Sequence, residues 1–269
     1  AVNQADGLRI RNCRVLNNRA QDMGAGLYVV DSGTPASPVL ISDCTIQNNT
    51  TVQQNYIWNG NAGGGFCVVG NAGGGTAFNV VVAKCLIVEN RSRLGSGIYA
   101  RSRDTACLLT VFGSLIQTNY YNPPGTCPGN GEAVYVGERV IVRLVNSTVV
   151  DNIHPTDNTP YGLYVARGSY DGTGRLVLIN SVTARNNRGL LDQRHGFDGS
   201  GYNGYAYMDL QNTTVRESNY RELDYSEGDT NHTDLAGALS TIGNPTPGFR
   251  SRDSSGNLST GIENNIDGD

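Results

Sequence analysis

A single short pattern occurs seven times before residue 220 and limits what this chain can fold into. It consists of a small residue, an apolar residue two places later and an asparagine five places later. The small position holds Cys13, Cys44, Cys85, Ser114, Ser147, Ser181 and Thr213. The apolar position holds Val15, Ile46, Ile87, Ile116, Val149, Thr183 and Val215. Asn18, Asn49, Asn90, Asn119, Asn152 and Asn186 form the third column, and Ser218 ends it. Neighbouring anchors lie 31, 41, 29, 33, 34 and 32 residues apart, the interval of a solenoid.

Around each anchor the period is two rather than 3.6. An apolar alternation precedes it, as in Val39-Leu-Ile41, Val140-Ile-Val142 and Leu176-Val-Leu178. A segment introduced by glycine or alanine follows it: Gly26-Leu-Tyr-Val29, Gly65-Phe-Cys-Val68, Gly97-Ile-Tyr-Ala100, Ala133-Val-Tyr-Val136 and Gly162-Leu-Tyr-Val165, with Gly204-Tyr-Ala-Tyr207 as a sixth. Three short strands per repeat, joined by Gly and Asn bends, predict an all-β, single-stranded parallel β-helix of about seven coils over 1–218. Residues 219–269 read as a C-terminal cap and polar tail. In such a stack, side-chain amides at the asparagine position meet from coil to coil and form a ladder. Asparagine also suits the left-handed backbone of a corner. Nothing before the first strand reads as a cap, and with no initiator methionine or signal segment the chain reads as a processed product or a fragment.

The Gly-Gly-x-apolar and apolar-x-x-Asn segments resemble the repeats of the right-handed parallel β-helix, or pectin-lyase-like, superfamily. They look like those of bacterial surface proteins with repeats such as the polymorphic outer membrane proteins carry, with Ile or Val here where those favour Phe. The resemblance implies right-handed coiling and a place at the cell surface or outside the cell. It covers adhesins, structural surface proteins, phage tailspikes and pectate-lyase-like enzymes alike.

Composition narrows the partners. Net charge is −4 with 16% charged residues and one lysine, Lys84, which argues against nucleic acid, and no apolar run has the length of a membrane span. The six cysteines and three histidines show no metal-ligand spacing. No cofactor is expected; calcium would need convergent carboxylates, and Asp171, Asp192 and Asp198 stand in no ion-binding motif. Cys13, Cys44 and Cys85 read as inward small residues. Cys107 and Cys127, the latter in a Pro- and Gly-rich loop, are the candidate disulfide.

Two sets of residues are candidates for function. Tyr28, Tyr99, Tyr135 and Tyr164 occupy the middle of the third strand and should point outward, where Tyr99, Tyr135 and Tyr164 would stack on sugar rings or simply on each other. Two places beyond the asparagine column stand Tyr121, His154 and Arg188. The long loop 187–203 beside them carries Asp192, Arg194, His195 and Asp198, with His195 as a further ligand-binding candidate. An aromatic, a base and a cation next to carboxylates suit β-elimination from a uronate. Three functions follow: a non-catalytic adhesive or structural surface module assembling end to end into fibres, a lyase or glycoside hydrolase acting on an acidic polysaccharide, or a tailspike fragment. The expected partners are other copies of the chain, a polysaccharide, or both.

Overall fold

The computed structural model describes residues 2–3, 5–31, 33–52, 61–70, 77–103, 105–121, 131–152, 162–166, 174–184, 186, 190–194, 206–211, 213–216, 220–224 and 228–232. Among them there is no helix, and each repeat forms one coil of a parallel β-helix. The alternation before each anchor builds a first facet, a seven-stranded sheet running in chain order from Arg9–Arg11 to Ala206–Gln211. The anchor segments build a second facet of seven strands, from Arg14–Leu16 to Thr214–Arg216. The glycine-led segments build a nine-stranded facet that begins with Val2–Asn3 and Leu27–Val30.

Between anchor and glycine-led segment the coil has a further strand that sequence periodicity did not show. Arg19–Ala20, Thr50–Thr51, Arg91–Ser92 and Tyr120–Tyr121 pair as a four-stranded sheet directly after the asparagine. Two residues are too few to display a period. Within the nine-stranded facet, Tyr220–Asp224 continues the parallel stack, and Gly228–His232 folds back antiparallel on it.

Registration supplies the core. Ile10, Ile41, Val82, Val111, Leu144 and Leu178 are successive partners on the first facet. Val15, Ile46, Ile87, Ile116, Val149 and Thr183 are partners on the second. Because side chains alternate across a strand, one member of each pair of positions points into the rod. From the second coil on, these columns are fully buried.

The corners correct one expectation. The ladder asparagines are not the left-handed residues; among the described residues those that precede them are: Asn17, Asn48, Glu89, Thr118 and Asp151, with φ of 54–57°. A second left-handed column precedes the small residue, at Asn12, Asp43, Lys84, Gly113, Asn146 and Asn180. The left-handed residue makes the bend, and the next residue, back in ordinary backbone, carries its side chain inward. At that bend a β-branched residue is strained. Exposed Thr118, at φ 55°, is the one such case in this column among the described residues. Thr118→Asn should therefore raise stability by about 0.5–1 kcal/mol in urea unfolding; an unchanged or lower midpoint would show that the corner tolerates threonine without strain.

Candidate functional site

The polar interior is organised as two ladders. In the first, each asparagine Oδ1 accepts both the backbone N–H and the Nδ2–H of the asparagine one coil earlier. From Asn18 to Asn49, Asn49 to Asn90, Asn90 to Asn119 and Asn119 to Asn152 these bonds measure 2.9–3.0 Å. Asn152 donates to Asn186 at 3.2 and 2.7 Å. Each Nδ2 also donates to the carbonyl of the inward apolar residue one coil back, as Asn90 does to Ile46 and Asn119 to Ile87 at 2.9 and 2.8 Å. The amides therefore satisfy the backbone groups that each sharp bend takes away from its sheet.

The small-residue column is a second ladder, and its hydrogen-bonding role was not apparent from the sequence. The Cys85 N–H donates to Ser114 Oγ at 3.1 Å, Ser114 to Ser147 at 3.3 Å and Ser147 to Ser181 at 3.2 Å. Each hydroxyl donates back to the carbonyl two residues earlier in its own coil, Ser114 to Phe112 at 3.0 Å. Thiols fill the same role in the early coils: Cys13 N–H donates to Cys44 Sγ at 3.4 Å, and Cys44 Sγ contacts the Ser42 carbonyl at 3.0 Å. Cys44 and Cys85 are buried as expected, but Cys13, in the first coil, is exposed. Burial pushes the Cys85 thiol up to about 11, against the opposing pull of the hydrogen bond from the Cys44 backbone. Sulfur and oxygen are thus interchangeable here. Ser114→Cys should change stability by less than about 1 kcal/mol, whereas Ser114→Ala, which orphans the buried Cys85 N–H, should cost about 2; equal losses in chemical denaturation would refute the ladder role.

The tyrosine column turns away from the main core, as expected. Tyr28, Cys67, Tyr99, Tyr135 and Tyr164 are register partners on the nine-stranded facet, between inward columns such as Phe66, Ile98, Val134 and Leu163. Yet Tyr99 is only 1% and Tyr164 only 6% exposed. The rings stack on each other, Tyr99 on Tyr135 with centroids 5.0 Å apart and Tyr135 on Tyr164 at 5.2 Å. Met23, Ala62 and Leu94, bridged to one another as isolated parallel pairs, pack with Tyr28, Cys67 and Tyr99 in a separate apolar cluster. Beneath them lie Gly24, Gly63, Gly95 and Gly131, all left-handed, where a Cβ would stand 2.5–2.7 Å from the Cβ of Tyr28, Cys67, Tyr99 and Tyr135 respectively. The column is an outer packing layer, with like rings stacked.

A charged pair borders this layer. Arg101, register partner of Val69, donates from Nε to Glu138 Oε1 at 2.7 Å, with Nη2 at 2.5 Å from the same oxygen. Glu138 is 3% exposed. Burial alone would lower the affinity of Arg101 for its proton, but Tyr99 and Glu138 outweigh it and raise it. Burial likewise pushes Tyr135 from 10.0 up to about 12, with Arg101 opposing and Glu138 adding. A raised folded-state value means that this contribution to stability is complete below pH 10 and is lost as pH climbs from about 10 to about 12. Alkaline unfolding followed by tyrosinate absorbance should show ionisation of the stack together with loss of structure in that window; full ionisation near pH 10 with the fold intact would contradict it.

Of the acid–base set only Tyr121 and Asp192 lie among the described residues, and they stand apart. Tyr121 closes the strand Tyr120–Tyr121 and pairs in register with Ser92, a buried residue whose Oγ donates to the Leu94 carbonyl at 2.8 Å. Asp192 does not lie in a loop. It belongs to the strand Leu190–Arg194 of the nine-stranded facet, in register with Val165 and Glu222. Tyr121 and Asp192 therefore stand on different facets, two coils apart. Of the segment Gly204-Tyr-Ala-Tyr207, read as a glycine-led strand, Ala206 and Tyr207 open the strand Ala206–Gln211 of the first facet, and the rest lies outside the described residues. His154, Arg188, His195, Asp198 and Asp171 lie outside the described residues.

The proposed disulfide is also corrected. Cys107 is a free thiol, 3% exposed, at the first inward position of the strand Cys107–Phe112, and it packs in the main core; Cys127 lies outside the described residues. Among the described residues no three His, Cys, Asp or Glu side chains gather as a metal site, and no helix is long and apolar enough to cross a membrane. The fold and its ladders define a parallel β-helix repeat protein. The chain matches no protein-family model, no curated protein and no solved structure.

Proposed function

We propose that this chain is a non-catalytic module of an extracellular or cell-surface protein, a structural or adhesive rod that joins other copies end to end. The observation that carries the reading is how the buried polar groups are used. The Asn and Cys/Ser columns and the tyrosine layer bond coil to coil along the axis, an arrangement suited to stiffness and repetition. Outward, the first two facets leave Leu86, Phe112, Val182 and Ile141 between 36% and 45% exposed, single apolar residues spread over several coils. Burial of Cys44, Cys67, Cys85 and Cys107 shields their thiols from an oxidising exterior. The resemblance to bacterial surface proteins of the right-handed pectin-lyase-like superfamily supports the same location.

Two measurements test the reading. Incubation with pectin, alginate and glycosaminoglycans should give no absorbance from unsaturated uronates, and electron microscopy of concentrated protein should show particles joined along one axis. Turnover of any of these glycans would replace the structural role with an enzymatic one. Isolated particles at every concentration would remove the assembly.

A further inference from the structure

The outward side of the first facet joins apolar and cationic side chains. Along its edge Ala83, Phe112, Val145 and Ile179 are register partners in consecutive coils, with Phe112 41% exposed. A second outward column runs through Leu108, Ile141 and Arg175, where Ile141 is 36% exposed and Arg175 is exposed. Arg143, also exposed, stands between the two columns. Phe112 and Ile141, single in their exposure, are thus bridged by half-buried apolar neighbours on strands about 4.8 Å away.

Charge on this face is of one sign. From Val39–Ser42 to Gly174–Ile179 no outward strand position is Asp or Glu, and Asp209, in register with Val177 on the last strand, is the first. Lys84 extends the cations to the adjoining corner: it follows Ala83, is exposed, and its backbone N–H donates to the Phe112 carbonyl at 2.8 Å. Among the described residues neither Lys84 nor Arg143 is in an ion pair. Asp43 stands one coil before Lys84 in the corner column, while Glu89 and Asp151 lie at the far corner, beyond the second facet. The second facet is apolar outward at Leu86 and Val182, but it has no outward cation between Arg14–Leu16 and Thr214–Arg216. Of the two, only the first has both.

We propose that the first facet, over its third to sixth coils, is a docking surface for a membrane with anionic headgroups, so that the rod lies along the bilayer on this side. Acidic lipid supplies phosphate oxygens to Lys84, Arg143 and Arg175, and the boundary between headgroups and acyl chains takes up Phe112 and Ile141. A second copy laid face to face would bring the same cations and no carboxylate to meet them. A soluble polyanion would satisfy the charges but leave Phe112 and Ile141 in water. Contact through the side of the rod is independent of end-to-end joining and adds to it a face by which a surface module is held.

The test is co-sedimentation of the full chain with vesicles of phosphatidylcholine alone and of phosphatidylcholine mixed about two to one with phosphatidylglycerol. At about 10 mM salt the acidic vesicles should bind at least about tenfold more tightly, and about 1 M salt should remove the difference, because the screening length falls from about 30 to about 3 Å. The double variant K84E, R143E should weaken binding to acidic vesicles at least about thirtyfold, and F112S, I141S about tenfold. R14E and V182S, which change an exposed cation and an exposed apolar residue of the second facet, should bind like wild type, with far-UV circular dichroism confirming the fold of each variant. Equal binding of wild type to both vesicles, or to neither, would overturn the docking surface. So would a K84E, R143E variant that binds as wild type does, or a loss with R14E or V182S as large as with the facet variants. Undiminished binding by F112S, I141S together with release by soluble dextran sulfate would assign the face to a soluble polyanion and overturn the membrane.

Discussion

Asn119→Ala should lower the stability of the chain by about 4 kcal/mol, one of the two largest losses expected from a single substitution here. Asn119 Oδ1 accepts the Asn90 N–H and Nδ2–H, each at 3.0 Å, while its Nδ2 donates to Asn152 Oδ1, the Ile87 carbonyl and the Gln117 carbonyl at 3.0, 2.8 and 3.1 Å. Truncation leaves a backbone N–H and a backbone carbonyl without these partners at fully buried positions, and weakens the amide of Asn90 as well. Each such orphan costs about 1–3 kcal/mol, and the vacated amide leaves a void besides. Asn119→Asp should be as harmful, because it keeps the acceptors, loses both donors and buries a charge with no cation bonded to it. Asn18→Ala is the control. Asn18 is exposed and bonds to a later coil only, so its loss should stay near 1 kcal/mol. Equal midpoints for the Asn119 and Asn18 variants in guanidinium unfolding would refute the ladder as a source of stability.

The columns that could be read from the sequence are those in which one side chain does one job in every coil. Asn18 to Asn186 recur because no other residue offers a buried acceptor and two donors in so short a side chain. The inward apolar column from Val15 to Thr183 recurs because a period of two leaves it no other face. The corner residues were not legible. Their requirement is a backbone angle, met in turn by Asn17, Glu89, Thr118 and Asp151, which share no chemistry in their side chains. Cys107 was misread because a Pro- and Gly-rich loop nearby holds another cysteine, although the alternation Cys107, Leu109, Val111 already placed it inward. The strand Leu190–Arg194 escaped notice because Leu191 and Asp192 stand where its predecessors have tyrosine and an apolar residue, although Gly189 precedes it in sequence, and Gly204-Tyr-Ala-Tyr207 copied their pattern more closely. The direction of the tyrosines was legible, but their cover was not. It comes from Met23, Ala62 and Leu94, single residues in segments with no pattern of their own.

That cover explains why Gly95→Ala should be the other large loss, at about 3–4 kcal/mol. Gly95 has φ 57°, a conformation that costs an L-residue about 1–2 kcal/mol. Its Cβ would also stand 2.7 Å from both Cα and Cβ of Tyr99 and would press on the Ile98 carbonyl. Since those atoms are mostly backbone, relief requires the chain to move, and overpacking of this kind adds about 1–3 kcal/mol. Gly113 separates the two causes. It has φ 55°, but the nearest atom to its Cβ would be Lys84 Cγ at 3.9 Å, so Gly113→Ala carries the backbone strain without the collision and should cost about 1 kcal/mol. The displaced Tyr99 would also disturb its stack with Tyr135, now 5.0 Å between centroids, and near-ultraviolet circular dichroism should register that change for Gly95→Ala alone. If the two alanine variants unfold at the same denaturant concentration with the same aromatic spectrum, the glycine column serves only as a left-handed turn, and the close seating of the tyrosine layer upon it has no energetic weight.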